Sequence, residues 1–169
     1  MTVKLIGAFL ICAGCGAFGF SMAAACRAEE QAMRQFLRAL EFMQGELSYR
    51  SPPLAALSRS AATIVSGPVQ RVLLAFSGEL DRQVAPDVHL CMDAALLQLR
   101  LPETLSAAFG ELGNTLGCFD LPGQLRGLEH AKENARQVLQ ELTEKRKNHL
   151  RSYQTLGLCA GAALAILFL

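Results

Sequence analysis

Read for its apolar positions, the chain separates into three stretches. From Leu5 to Cys26 no charged residue occurs for 22 positions, between Lys4 and Arg27, and from Ser152 to Leu169 none occurs for 18. At 1.5 Å per helical residue the first run crosses a bilayer core of about 30 Å and the second is just long enough to do so. Between them the apolar positions follow the 3.6-residue period of a helix. Phe36, Leu37, Leu40, Met43 and Leu47 mark a helix that must stop before Pro52 and Pro53. Ser51 is placed to N-cap a second helix carrying Leu54, Leu57, Ala61 and Ile64. Gly67-Pro68 breaks that run, and Val69, Val72, Leu73, Phe76 and Leu80 form a third stripe. Pro86-Asp87 opens a fourth helix with Leu90, Ala94, Leu97 and Leu101 on one face, and Pro102-Glu103 opens a fifth. The fifth carries Leu105, Phe109, Leu112 and Leu116 and stops at Gly117. Asp120 caps a long last helix with Pro122 in its first turn and a stripe of Leu121, Leu125, Leu128, Ala135, Val138, Leu139 and Leu142. Nothing from Glu129 to Leu150 is Gly or Pro, so that helix is expected to run on into the second apolar stretch. No β-branched alternation competes with this pattern.

The expected fold is therefore all-α. A compact cytosolic bundle of five to six helices over residues 28–151 is flanked by an N-terminal transmembrane helix (4–27) and a C-terminal one (152–169). Composition agrees once it is divided the same way. The whole chain is 51% hydrophobic and only 18% charged, but 29 of the 124 residues from 28 to 151 are charged, which is ordinary for a soluble domain. Only Lys4 flanks the outer ends of the two runs. Arg27, Arg34, Arg38, Lys145, Arg146, Lys147 and Arg151 flank the inner ends, which places the middle domain in the cytosol. Two rival readings of the first run stay open. Lys4, the apolar stretch and Ala23-Ala24-Ala25 suit a cleaved signal peptide, although the run is long for one, and Cys12-Ala13-Gly14-Cys15 loosely suits a lipoprotein cleavage box.

Candidate chemistry adds little to this topology. Arg27, Lys145, Arg146, Lys147 and Arg151 stand where cations meet lipid headgroups, each contributing about 1 kcal/mol near anionic lipid. Gly19 in the first run and Gly157 and Gly161 in the second belong to four-residue stripes of small residues that let membrane helices approach closely. Cys12-x-x-Cys15 has no second pair, and on an apolar helix its thiols behave as small hydrophobes. Cys91 and Cys118 face a reducing compartment, which disfavours disulfides. His89 and Cys91 are too close together and too alone to suggest a metal site, and His130 and His149 sit on a polar helical stretch. Nucleotide-binding, metalloprotease and hydrolase motifs are absent, so no catalytic residue, metal or cofactor is expected. A net charge of +1 argues against nucleic acid as a partner.

One stretch, Leu40-Glu41-Phe42-Met43-Gln44-Gly45-Glu46-Leu47-Ser48-Tyr49, is followed by Pro52-Pro53-Leu54. A second, from Phe109 to Gly117, is followed by Asp120, and Leu156-Gly157-Leu158 begins the last apolar run. Together with a short apolar N-terminus ending near Glu29, these segments resemble the stage III sporulation protein AB family in order and spacing across essentially the whole chain. A tryptophan expected from the family between Val84 and Leu99 is missing, which weakens any contact assigned to that helix. The resemblance implies a cytosolic domain similar to the helical domain of type II secretion and type IV pilus platform proteins. It further implies a membrane platform in the mother-cell membrane facing the forespore, with both termini in the intermembrane space. The implied partners are a secretion-type ATPase, other stage III sporulation channel proteins and the lipid bilayer; self-association stays open. On that likeness Glu46 and Tyr49 in the first stretch, and Glu111, Gly117 and Asp120 in the second, are matched, and Glu46, Tyr49, Glu111 and Asp120 are the candidate partner-binding residues. The rival function is a membrane-anchored regulator or sensor whose helical domain binds a signalling partner or small ligand.

Overall fold

The structure is a computed structural model that describes residues 2–82, 87–116 and 120–168, with side-chain environments given for 24–82, 87–116 and 120–146. Six helices follow one another: α1 (Thr2–Arg50), α2 (Leu54–Ile64), α3 (Pro68–Arg82), α4 (Val88–Leu97), α5 (Glu103–Thr115) and α6 (Leu121–Phe168). Among the described residues there is no strand, and the all-helical expectation holds. The chain divides into two units, Glu29–Gln140 and the pair Met1–Ala28 with Glu141–Leu169. Among the described residues no helix is long and apolar enough to cross a membrane. The two expected spans fall on residues whose side chains lie outside the description, apart from 24–27. Gly117, Gly19, Gly157, Gly161 and four of the six cysteines are likewise outside it, whereas Cys26 and Cys91 are free thiols.

Within Glu29–Gln140 the core forms where the helical stripes meet. From α1 come Met33, Phe36, Leu40, Met43 and Leu47, from α3 Val69, Val72, Leu73 and Phe76, and from α5 Leu105, Phe109 and Leu112, all buried. Burying a side chain of this size contributes roughly 1.5–3 kcal/mol. The rings of Phe36 and Phe109 meet edge-on, 4.7 Å apart and 65° between planes, which fastens α1 to α5. The shorter helices pack in sequence, α2 on α3, α3 on α4 and α4 on α5.

The ends of the helices show the expected punctuation, with one correction. Asp120 caps α6, its Oδ1 accepting from the Gly123 amide at 3.2 Å, and Asp87 caps α4 by accepting from the His89 amide at 3.3 Å. Gly67 turns the chain at φ 72° before Pro68 starts α3. Ser51, however, does not cap α2, where Pro53 holds the cap position without a side-chain bond. It closes α1 instead. Its φ is 44°, and its hydroxyl donates to the Leu47 carbonyl at 3.1 Å, so the side chain satisfies a carbonyl left free by the helix end.

A second correction concerns α4. The stripe Leu90, Ala94, Leu97 and Leu101 is not its buried face: Cys91, Met92 and Ala95 are buried, while Leu97 is 88% exposed and Leu90 49%. The helix is apolar on nearly every side, so periodicity does not choose a face, and the neighbouring helix does. Gly113 of α5 leaves room for Met92, and a Cβ built on it would stand 2.8 Å from Met92 Cβ. Gly113→Ala is therefore expected to destabilise the protein by about 1–3 kcal/mol despite its better helix propensity. Gly110→Ala, with nothing within 4 Å, is expected to stabilise it by about 0.5–1 kcal/mol. Denaturant midpoints of the two variants check the pair, and equal shifts would show that Met92 does not depend on the glycine.

Candidate functional site

The four residues singled out for partner binding fall in two places. Glu46 and Tyr49 lie in the last turns of α1, and Asp120 precedes the first turn of α6. These two ends meet at a cleft of about 280 Å³ lined by Leu47, Ser51, Pro52, Leu54, Leu121 and Gln124. Tyr49 is 85% exposed, its ring under the guanidinium of Arg50 at 5.9 Å, and Glu46 is half-buried. A ring this open, with one face toward Arg50, leaves most of its surface available to a partner. Leu121, expected in the buried stripe of α6, is 40% exposed at the same cleft.

Glu111 is not part of that group. It lies on α5, where its Oε1 accepts from Asn134 Nδ2 at 2.7 Å and stands 3.3 Å from His130 Nδ1, both on α6. It borders a groove of about 400 Å³ whose wall also includes Glu103 and Asn134. Of the five cations expected at lipid headgroups, Arg27 and Lys145 are exposed and Arg146 is half-buried, while the side chains of Lys147 and Arg151 lie outside the description. Among the described residues no group of three or more His, Cys, Asp or Glu gathers as a metal ion needs. His89 instead lies 3.5 Å from Asp93 on its own helix.

What the periodicity missed is the polar contact that joins α1 to α6. Lys132 is only 8% exposed. Its ammonium donates to Gln44 Oε1 at 2.7 Å and to Glu129 Oε2 at 3.0 Å, and Gln44 Nε2 donates to that same Glu129 oxygen at 2.7 Å. A buried charge is tolerated only when it is paired and hydrogen-bonded in this way. Arg136 adds an outer bridge, 3.6 Å from Glu41 on α1 and 3.6 Å from Glu133 on α6. The signal for Lys132 was present in the sequence: it sits in the same stripe as the buried Leu128 and Ala135, a position at which a cation must be answered.

The hydrogen bond from Gln44, followed by that from Lys132, holds the Glu129 carboxyl below its usual range. The stabilisation it brings is present above the unfolded value of 4.5 and is lost as the pH falls through the lower folded value. Gln44→Ala removes one acceptor from the buried ammonium and is expected to cost about 1–3 kcal/mol near neutral pH. Chemical unfolding of the full chain and of Gln44→Ala at neutral and at acid pH tests this. The gap between the two should narrow on acidification, and a gap that widens would assign the stabilisation to another carboxylate.

Comparison with known proteins returns one consistent likeness. The family model described as stage III sporulation protein AB matches residues 4–169. The Stage III sporulation protein AB of Bacillus subtilis (strain 168) is 25% identical over 171 residues, covering 99% of either chain. A solved structure of Stage III sporulation protein AB (SpoIIIAB) superposes with a TM-score of 0.64 at 22% identity, covering 72% of this chain and 98% of that one, a likeness of fold.

Proposed function

This chain belongs to the stage III sporulation protein AB family and so has a role in sporulation, and within that role we propose a non-enzymatic membrane platform that docks a secretion-type ATPase. The observation that carries the reading is the extent of the family match, which takes in both apolar ends as well as the helical domain between them. The relatives are named as sporulation proteins and not as enzymes.

In this reading residues 4–27 and 152–169 span the mother-cell membrane facing the forespore, and 28–151 lie in the cytosol. The basic inner flanks support that orientation, because Lys and Arg are retained on the cytosolic side of a membrane. Arg27, Lys145, Arg146, Lys147 and Arg151 meet lipid headgroups, and Gly19, Gly157 and Gly161 let membrane helices pack closely. The helical domain presents Glu46, Tyr49 and Asp120 at the junction of α1 and α6, and Glu111 on α5, to the ATPase. Exposed carboxylates and an open tyrosine suit a partner with a cationic, partly apolar surface, in which charge sets the encounter and the ring contributes buried area.

The test is co-purification of the ATPase with the full chain from detergent-solubilised membranes. The unaltered chain should retain it, and the double reversal Glu46→Lys with Glu111→Lys should reduce recovery by about tenfold or more while the helical content stays unchanged. Undiminished recovery with a folded double variant defeats the docking role of these two residues, and failure of the unaltered chain to retain the ATPase defeats the platform.

A further inference from the structure

The groove beside Glu111 is built from short side chains. Ala107 and Ala108 of α5 face Ala131 and Ala135 of α6 across it, with Phe36 of α1 beneath, and together they leave about 400 Å³ unfilled. Alanines on both walls let a third helix come close, at the 8–10 Å axial separation of packed helices. The charges on the wall are all of one sign. Glu103 and Glu111 stand on it, no Lys or Arg does, and α5 carries no basic residue along its length. The Glu111 carboxylate is oriented by Asn134 and His130, and the Glu103 carboxylate has no hydrogen bond or ion pair among the described residues. The two carboxylates are eight residues apart on one helix, about 12 Å along its axis. An apolar trough edged by two carboxylates gains most from an occupant that supplies two cations at that spacing and buries aliphatic carbon between them.

We infer that the groove between α5 and α6 receives one amphipathic helix of a partner protein, its aliphatic face on the alanine floor and two of its cations, about two turns apart, meeting Glu103 and Glu111. This rests on the docking role proposed above and names the chemistry of the docked segment.

Two exposed positions allow the groove to be altered without touching the core. Ala107→Trp fills it, and Glu103→Lys reverses its charge. Both are introduced separately into the full chain and checked for unchanged helical content. Each is read against a fluorescent helical peptide with an aliphatic face and two arginines two turns apart, against the same peptide with glutamates in place of the arginines, and in ATPase co-purification. The expected result is that the unaltered chain binds the arginine peptide about tenfold or more tightly than the glutamate peptide, that this preference weakens with salt, and that either substitution removes it. ATPase recovery should fall in parallel. Equal binding of the two peptides, or binding that survives Ala107→Trp, overturns the inference. ATPase recovery unchanged by both substitutions also overturns it and leaves the platform standing. Loss of self-association in place of ATPase binding overturns it in favour of a second copy of this chain. If the unaltered chain retains no ATPase but shows the peptide preference and loses it on substitution, the platform fails and the groove remains a receptor for a basic helix.

Discussion

The junction of α1 with α6 depends on the buried charge of Lys132. Lys132 brings an ammonium into the apolar stripe of α6, and the position is tolerable only while Gln44 of α1 and Glu129 of α6 accept from it. An apolar stripe alone would let α1 and α6 slide by a turn, because one leucine replaces another at little cost. Gln44 opposes that slide by two bonds across the pair, accepting from Lys132 and donating to Glu129, each at 2.7 Å. The same pairing brings Leu47 and Ser51 at the end of α1 to one cleft with Leu121 and Gln124 of α6, and Asn134 opposite Glu111 farther along α6.

The second constraint is the spacing allowed by small residues. Gly113 brings α4 against α5 through Met92, and Gly127 does the same between α6 and α5, where a Cβ would stand 2.8 Å from Thr115 Cβ. Beyond these close approaches the alanines of α5 and α6 leave the groove unfilled. Close packing at one level of α5 and an open trough at another thus follow from which small residue occupies which position. Where glycine meets a large side chain the gap closes, and where alanine faces alanine it stays open.

Much of this was legible in the sequence, and the failures have physical causes. The stripes of α1, α3 and α5 were read correctly because each has one apolar face and a polar remainder. The helix starts at Pro68, after Asp87 and after Asp120 were legible for the same reason that they form: each residue supplies either a fixed φ or a side-chain acceptor. In α4 the apolar residues surround the axis, so the choice of buried face depended on Gly113 more than thirteen residues away and no local period recorded it. Ser51 misled because a serine before two prolines suits either the start of one helix or the end of another, and only the carbonyl of Leu47 decided between them. At the candidate site, Glu111 was found through family likeness, whereas its partners Asn134 and His130 are long-range neighbours that no spacing rule reaches.

The pairing of α1 with α5 and α6 also sets the order in which the molecule can assemble. Helices α2 to α5 contact their sequence neighbours, and such local contacts form early and quickly. The partners of Phe36 and Gln44, by contrast, are Phe109 and the pair Glu129 and Lys132, which lie 73 and more residues further along the chain. During synthesis from the N-terminus, Phe36 and Gln44 therefore have to wait for most of the chain to be made before these partners exist. Until then the Phe36 ring lacks its edge-on neighbour, on a helix whose first half is itself among the most apolar segments of the protein. The interval before closure is the period in which this chain is most open to capture by a chaperone, a membrane or another copy of itself.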